Sequence, residues 1–406
     1  MKKVFALSLL TVVPSLTFAQ QQIKINPYLE IRPRYEHVED KNNNLKSADA
    51  LTVRTVLGLR AKKIFIENLK GCIEATDVSG ILRNYSPESS KYDLVPDPDN
   101  TRITQAYLTY TINKTTFIVG RKFITIDDHR FIGNVGWRQM PQSFGVLAIA
   151  DKTLPNTDIL VAAIYERLGI LDKLNTKWHL DKAPLIFDIN YQPVKWLKIK
   201  PFAYLITDVH NTYGLKLSGT RKYDSFSISY VATYAKQTDP YQKDNLSVKP
   251  KIDTDYWRLG LNSNIKGFLL GAEYTHFGDK NGKSKGFSTP LATLHKFDGW
   301  SDALLKGAAN GFDYGLNEYK LSAGYTHKQI GKFLISYFIF NSAKSQPSGK
   351  KVGTEVDVAY IKKLNKYISF LAKAAFYNAK DGYYSNGNLI AKKDINKYWL
   401  QIDYKF

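Results

Sequence analysis

The ten residues that end the chain, Lys397 to Phe406, read KYWLQIDYKF and decide the fold class. Apolar or aromatic side chains occupy the even positions, and polar side chains occupy most of the odd positions. Successive side chains of a β-strand point to opposite faces, so this stretch predicts a strand with one apolar face. Such a strand at the end of a sheet is suited to closing it against another edge.

The same period-two alternation recurs along the chain. Residues 23–36 and 50–66 carry apolar side chains on one face and charged side chains on the other. About eighteen such segments can be counted, with sixteen as the alternative because residues 115–126 and 143–152 alternate poorly. An even number of long strands joined by alternating short turns and longer loops is typical of an outer-membrane barrel. The fold class is therefore all-β: a transmembrane, antiparallel, up-and-down β-barrel.

The N-terminus resembles a secretory signal peptide. Lys2 and Lys3 precede an apolar run that closes on Thr17-Phe18-Ala19, so we expect cleavage after Ala19. No later apolar stretch is long enough for a spanning helix. A closed barrel is the other structure that satisfies every backbone polar group inside a membrane.

Composition favours one barrel domain over several soluble domains. The chain has 27 Tyr and 21 Phe but one Cys, and no linker-like stretch divides it. We expect a signal peptide at 1–19 and a single barrel at 20–406. Inserted loops are expected near 83–101, 127–142, 238–253 and 279–314. The predicted location is the bacterial outer membrane.

The formal charge is +20, or +18 once Lys2 and Lys3 are removed. A secreted chain rarely meets nucleic acid, so we expect no nucleic-acid partner. Outer-membrane lipid and lipopolysaccharide, or small anionic solutes inside a basic channel, are the expected partners.

Three stretches resemble proteobacterial outer-membrane porins of the alginate-export-like family. They are Arg34-Tyr35-Glu36 with the following 48–55, the segment from Asp128 to Phe144, and the segment from Phe287 to Asp302. The resemblance implies an eighteen-stranded monomeric barrel, with a trimer as the alternative. It also raises the possibility of a polyanionic polysaccharide as cargo. The last strand, with Tyr404 and Phe406, looks like the signal that the barrel-assembly machinery recognises.

Alternation predicts which charged side chains line the lumen. The set comprises Arg32, Arg34, Arg54, Arg60, Lys62, Lys198, Lys200, Arg258, Glu30 and Glu74. The four arginines of the first two strands form the densest positive cluster, which could attract anions. The alternative is that they pair with Glu30 and Glu74 and only satisfy a polar interior.

Residues 127–142 are the candidate constriction. Asp128, Arg130, Trp137 and Arg138 lie among glycines that permit a tight path, and arginines suit a carboxylate or sulfate. The alternative is a surface loop pinned by Trp137. The stretch 279–314 is a candidate lid.

Catalysis is not indicated. No HExxH, paired CxxC or GxSxG motif occurs, so we predict no enzyme, no catalytic residue, no metal and no cofactor. Three hypotheses remain for function. The first is a porin for passive diffusion of small, preferably anionic solutes, and the second is an export channel for an anionic polysaccharide. The third is a plugged structural or adhesive barrel.

Overall fold

A computed structural model describes residues 22–241 and 250–406 of the chain. The predicted signal peptide lies outside the described residues, as do residues 242–249 of the third expected loop. Eighteen antiparallel strands form one closed barrel, which confirms the predicted fold class and excludes the alternative count of sixteen. None of the helices in the described ranges is long and apolar enough to cross a membrane.

The barrel strands are β1 (Lys24–Asp40), β2 (Ala48–Lys62), β3 (Leu69–Asn84), β4 (Asn100–Ile112), β5 (Thr115–Lys122), β6 (Ser143–Asp151), β7 (Thr157–Leu168), β8 (Leu185–Val194), β9 (Leu197–Ile206), β10 (His210–Lys222), β11 (Phe226–Thr238), β12 (Asp253–Ile265), β13 (Phe268–Phe277), β14 (Leu316–His327), β15 (Gly331–Asn341), β16 (Lys351–Lys363), β17 (Ile368–Ala379) and β18 (Ile395–Lys405). Each strand pairs with its sequence neighbour. The first and last strands pair with each other, from Glu30 opposite Lys405 to Asp40 opposite Ile395.

The closing seam extends to the last residue. The Phe406 amide donates to the Leu29 carbonyl at 2.9 Å, and the Leu29 amide donates to the Phe406 carbonyl at 3.1 Å. Paired edges leave no unsatisfied backbone row, which a structure inside a membrane requires.

Alternation sorts side chains between lipid and lumen. On β14, Tyr319 and Leu321 are 45% and 62% exposed on the outer face, whereas Glu318, which precedes Tyr319, is 1% exposed. Similar outward rows of Leu, Ile, Val and aromatic side chains surround the barrel. This apolar outer belt and polar interior are the pattern of an integral outer-membrane β-barrel protein.

The two ends of the barrel differ. The start of β1, the C-terminus and the short turns, such as 113–114 and 266–267, lie at one end. The long connections lie at the other end and include 85–99, 123–142, 169–184, 278–315 and 380–394. Within them, Leu305–Asn310 forms a short helix, and Tyr383–Ser385 pairs with Asn388–Ile390.

A hydrophobic core lies inside the barrel. Phe131 and Phe287 from two long connections pack on Phe202, Tyr204 and Tyr256 of the wall, with ring centroids 5.1–6.3 Å apart. Connections 123–142 and 278–315 therefore enter the lumen instead of lying over the surface. We call them the first inward segment (123–142) and the second inward segment (278–315).

Candidate functional site

The first inward segment rests on the arginines of β1. Arg34 donates to the Trp137 carbonyl at 2.5 Å, and Arg32 donates to the Gly136 carbonyl at 3.1 Å. Both arginines are buried and lie on the inner face of the strand. The candidate constriction thus lies against the inner wall, next to the predicted basic cluster.

Arg138 joins this segment to three separate parts of the chain. It donates to Glu36 of β1 at 2.9 Å and to Asp97 of the 85–99 connection at 3.2 Å, and it lies 3.8 Å from Asp302. The guanidinium is buried. Burial alone would lower the pKa of Arg138, but the surrounding carboxylates raise it above its ordinary value. The guanidinium therefore stays charged and holds the first inward segment to β1 and to the 85–99 connection.

Asp128 and Arg130 anchor the start of the segment to the opposite wall. Asp128 accepts from Lys216 of β10 at 2.9 Å and from Arg258 of β12 at 2.5 Å. Burial opposes ionisation of Asp128, but the two cations hold its pKa below the ordinary value. Arg130 donates to Asp298 of the second inward segment and to the Tyr256 hydroxyl, at 2.8 and 2.9 Å.

The arginines of the first inward segment therefore already form ion pairs with the protein's own carboxylates. In this arrangement the guanidinium groups bind carboxylates of the protein, not a solute carboxylate or sulfate as the sequence suggested. They position the segment, and a charge-assisted pair buried in this way is strongly destabilised when one partner is removed.

Trp137 lies at the centre of an aromatic and cationic stack. Its ring stacks on His295 at 4.8 Å with an interplanar angle of 8°, and it meets Trp399 edge-on at 5.7 Å. The Arg34 guanidinium lies 4.1 Å from the ring centroid, and the Lys373 ammonium lies 3.9 Å from it. Cation–π contacts of this kind fix the ring in place. The alternative of a surface loop pinned by Trp137 is wrong, because the residue lies inside the lumen.

The second inward segment packs directly on the first. The Gly133 amide donates to the Leu291 carbonyl at 2.9 Å, and the Thr293 amide donates to the His129 carbonyl at 3.1 Å. Glu355 of β16 accepts from the amide and hydroxyl of Ser301 at 2.8 and 2.6 Å. The segment predicted as a lid is thus part of the lumen filling.

The basic cluster is partly neutralised. Arg32 contacts Asp403 at 2.7 Å and Glu30 at 3.2 Å, and Arg54 lies 3.7 Å from Glu30. Glu74 behaves differently from the expected pairing. Its partners are the Tyr28 hydroxyl, Thr104 and Gln105, and no arginine of the described residues forms an ion pair with it.

Other predicted lining residues divide into paired and unpaired groups. Lys200 pairs with Asp188 at 2.8 Å, and Arg258 pairs with Glu273 at 2.8 Å in addition to Asp128. Within the described ranges, the inward-facing cations that form no ion pair include Arg60, Lys62, Lys122 and Lys198. Arg60 and Lys122 instead lie over the rings of Tyr28 and Tyr107, at 4.2 and 3.9 Å.

The inward carboxyls that lack a cationic partner are covered by protein. Glu74, Glu318, Glu355 and Asp357 are between 0% and 4% exposed, the last three lying near the second inward segment. By contrast, Arg60 and Lys62 are exposed, and Lys122 and Lys198 are half-buried. The accessible unpaired charge of the lumen is therefore positive.

Basic and polar side chains also border a cavity of about 450 Å³ inside β9–β12. Lys198, Lys216 and Arg258 line it together with Ser218 and Asn262. The cavity lies beside Asp128, where the first inward segment begins. The described residues contain no group of three His, Cys, Asp or Glu side chains arranged to hold a metal ion.

Comparison with solved structures finds many similar barrels. Acinetobacter baumannii OccAB3 matches with a TM-score of 0.72 and 12% identity over 94% of this chain and 99% of that one. A. baumannii OccAB2 matches with 0.70 and 14% over 94% and 98%. Pseudomonas aeruginosa OccD3 (OpdP) matches with 0.70 and 13% over 94% and 91%. The fold is that of an outer-membrane porin.

At these identities the likeness establishes the fold alone. No protein-family model matches the chain, and no curated protein matches it. The structural neighbours are Occ porins, so they support the porin part of the expected resemblance and give no support to its alginate-export part.

Several important residues were missed by sequence reasoning. Asp97, Asp302 and Trp399 contact Arg138 or Trp137 from distant parts of the chain. No local pattern distinguishes Asp97 or Asp302 from other loop carboxylates. Trp399 is the partial exception, because its odd position in the last strand placed it on the inner face.

Proposed function

We propose that this protein is a passive outer-membrane channel that admits small solutes and prefers anionic ones. The observation that carries the proposal is the distribution of charge inside a porin-type barrel. Accessible unpaired charges are cations, whereas the unpaired carboxyls are buried. A low-dielectric wall focuses such a surplus into a field that attracts anions.

The inward segments support a narrow path. They enter the lumen from the long-connection end, and their charged anchors hold them to opposite walls at β1, β10 and β12. Rings of Arg and Lys select anions where the path is tight, because the charge lies close to every passing solute. Arg60, Lys122 and Lys198 are the residues that we expect to act on solutes.

The same observation disfavours polysaccharide export. An extended polyanion would need a wide lumen with continuous positive charge, whereas here two packed segments occupy part of the interior. The neutralised pairs around Glu30 also reduce the cationic surface that a polymer would meet. We therefore favour a diffusion channel over both an exporter and a plugged barrel.

Solute flux into liposomes tests the proposal. Proteoliposomes containing the mature barrel should swell faster in small monocarboxylates than in cationic solutes of the same size. Replacing Arg60, Lys122 and Lys198 with Gln should reduce that difference, because exposed inward charge is removed without a buried partner being left behind.

The matched control replaces Lys266, Lys328 and Lys366, which are exposed in short turns outside the lumen. This control removes the same number of charges, so it should keep the native preference. Absence of swelling with every small solute would contradict a channel, and an unchanged preference in the lumen variant would contradict the assigned residues.

A further inference from the structure

The long-connection end carries an exposed lysine cluster over three neighbouring connections. These are 41–47, 342–350 and 380–394, which join β1 to β2, β15 to β16 and β17 to β18. Eight exposed lysines lie there or at the adjoining strand end. We call six of them the lysine rim: Lys41, Lys350, Lys351, Lys380, Lys392 and Lys393.

Backbone hydrogen bonds hold the members of the lysine rim close together. The Lys41 amide donates to the Asp394 carbonyl at 3.1 Å, and Asn42 donates to the Lys393 carbonyl at 2.9 Å. The Lys380 amide donates to the Val352 carbonyl at 3.1 Å. The lysines therefore form one patch and not three unrelated positions.

The carboxylates of this region bind neutral donors instead of lysines. Asp381 accepts from the Lys351 amide at 2.8 Å, and Asp394 accepts from the Ala379 amide at 3.0 Å. Glu39 accepts from the Asn396 side chain at 3.0 Å. None of the six ammonium groups forms an ion pair with any residue that the structure describes.

Some other cations at the same end are paired with carboxylates. Arg83 pairs with Asp99 at the 85–99 connection, and Lys236 pairs with Asp253 at the connection after β11. The lysine rim places six unpaired ammonium groups in the sector formed by β16, β17, β18 and β1.

Membrane-facing aromatic residues lie directly below the lysine rim. Tyr398 and Phe376 are 41% and 37% exposed on the outer face, with ring centroids 5.5 Å apart, and His37 lies 5.9 Å from Tyr398. Aromatic side chains of this kind mark the headgroup level of a membrane. Lys380 follows Phe376 by four residues, which is at most about 13 Å along a strand.

We propose that the lysine rim binds the phosphate groups of a phosphorylated glycolipid of the outer leaflet, such as lipid A. The long-connection end of an outer-membrane barrel faces outward, so its rim meets this leaflet. Lysine stems lie along apolar surface while the ammonium reaches a headgroup, and phosphate supplies the missing counter-charge. The acyl chains would lie along the outward row that contains Phe376 and Tyr398.

Native mass spectrometry of the full mature barrel in detergent tests the proposal. The probes are diphosphoryl lipid A, fully dephosphorylated lipid A and inorganic phosphate. The variant replaces Lys351, Lys380 and Lys393 with Glu. We expect the native barrel to retain diphosphoryl lipid A. The variant should bind this lipid at least about tenfold more weakly.

The matched control replaces Lys266, Lys328 and Lys366 with Glu at the opposite end of the barrel, and it should bind as the native barrel does. Equal retention of dephosphorylated lipid A would overturn the proposal, because binding would then depend on acyl chains. If millimolar inorganic phosphate displaced the bound lipid A, the site would be one for free phosphate, and the proposal of a lipid ligand would be overturned. An equal loss in both variants would overturn the location. If the Glu variant does not fold, the corresponding Gln variant replaces it, and it should show a smaller loss of diphosphoryl lipid A binding.

Discussion

Replacing Arg138 with Gln should release the first inward segment. Arg138 is 4% exposed and contacts Glu36 at 2.9 Å and Asp97 at 3.2 Å, both of them buried. Removing one partner of a buried ion pair leaves uncompensated charge and costs about 3–5 kcal/mol. Because about 1.36 kcal/mol is tenfold in an equilibrium constant, the undocked population should rise by about a hundredfold to a few thousandfold.

Limited trypsin digestion measures this population. The peptide bond after Arg130 remains available as a reporter, and Arg130 is 3% exposed when the segment is docked. Cleavage follows the equilibrium population of the open state when opening and closing are fast. Cleavage after Arg130 should therefore accelerate strongly, while the barrel strands stay intact.

Two further variants sharpen the result. Arg83→Gln removes an exposed arginine whose ion pair with Asp99 is largely solvated, so it should change cleavage little. Combining Arg138→Gln with Glu36→Gln removes one uncompensated carboxylate and should partly restore protection. A less than tenfold acceleration of cleavage in the Arg138→Gln variant would refute the role of Arg138 in holding the first inward segment in place.

Three other predictions concern the same interior and the barrel wall. Burial and a neighbouring lysine hold the pKa of His295 well below its ordinary value of 6.5, so docking should weaken as the pH falls below about 6.5, by up to about 1.4 kcal/mol per unit. Burial raises the pKa of Asp298, which acts in the opposite sense, so the check is whether His295→Gln flattens the pH dependence of trypsin cleavage relative to the native chain. Gly299→Ala should destabilise docking by about 1–3 kcal/mol, because Gly299 has φ +83° and a Cβ there would collide with a carboxylate of β16; cleavage as slow as in the native chain would contradict this. Leu321→Lys should reduce barrel assembly, since a lysine near the bilayer midplane costs about 2–4 kcal/mol, whereas Ser322→Lys faces the lumen and should assemble normally, as measured by heat-modifiable migration in gels.

The barrel was predictable because its signal is local. Alternation of apolar and polar side chains follows from the geometry of one strand, so the strand count and the inner face could be inferred segment by segment. Residues such as Arg32 and Arg54 accordingly lie on the inner face. The strand from Thr115 ends at Lys122 instead of near 126, because the chain turns inward there and Ile126 bonds back to Ile132 at 3.2 Å.

The interior contacts were not predictable, because they depend on long connections meeting in space. Arg138 is satisfied by Glu36, Asp97 and Asp302, which are distant in the sequence and share no common motif. The expected pairing of arginines with Glu74 is wrong for the same reason. The hydroxyl of Tyr28, a residue that no sequence pattern singled out, donates a hydrogen bond to the Glu74 carboxylate at 2.7 Å.

The burial of the inward carboxyls also depends on tertiary structure. Glu355 and Asp357 lie on the inner face of β16, as alternation along that strand implies, but alternation does not show that the second inward segment covers them. Their coverage changes the balance of accessible charge, from a mixed lumen to a positive one. The positive accessible charge is the reason to expect a preference for anionic solutes.

The reversal potential of single channels in a planar bilayer under a salt gradient tests the central claim most directly. The purified mature barrel should give a stable conductance with a reversal potential of the sign for anion preference, and the Gln variant of Arg60, Lys122 and Lys198 should shift it towards zero. A reversal potential of the opposite sign in the native protein would contradict the assignment of accessible positive charge to the lumen.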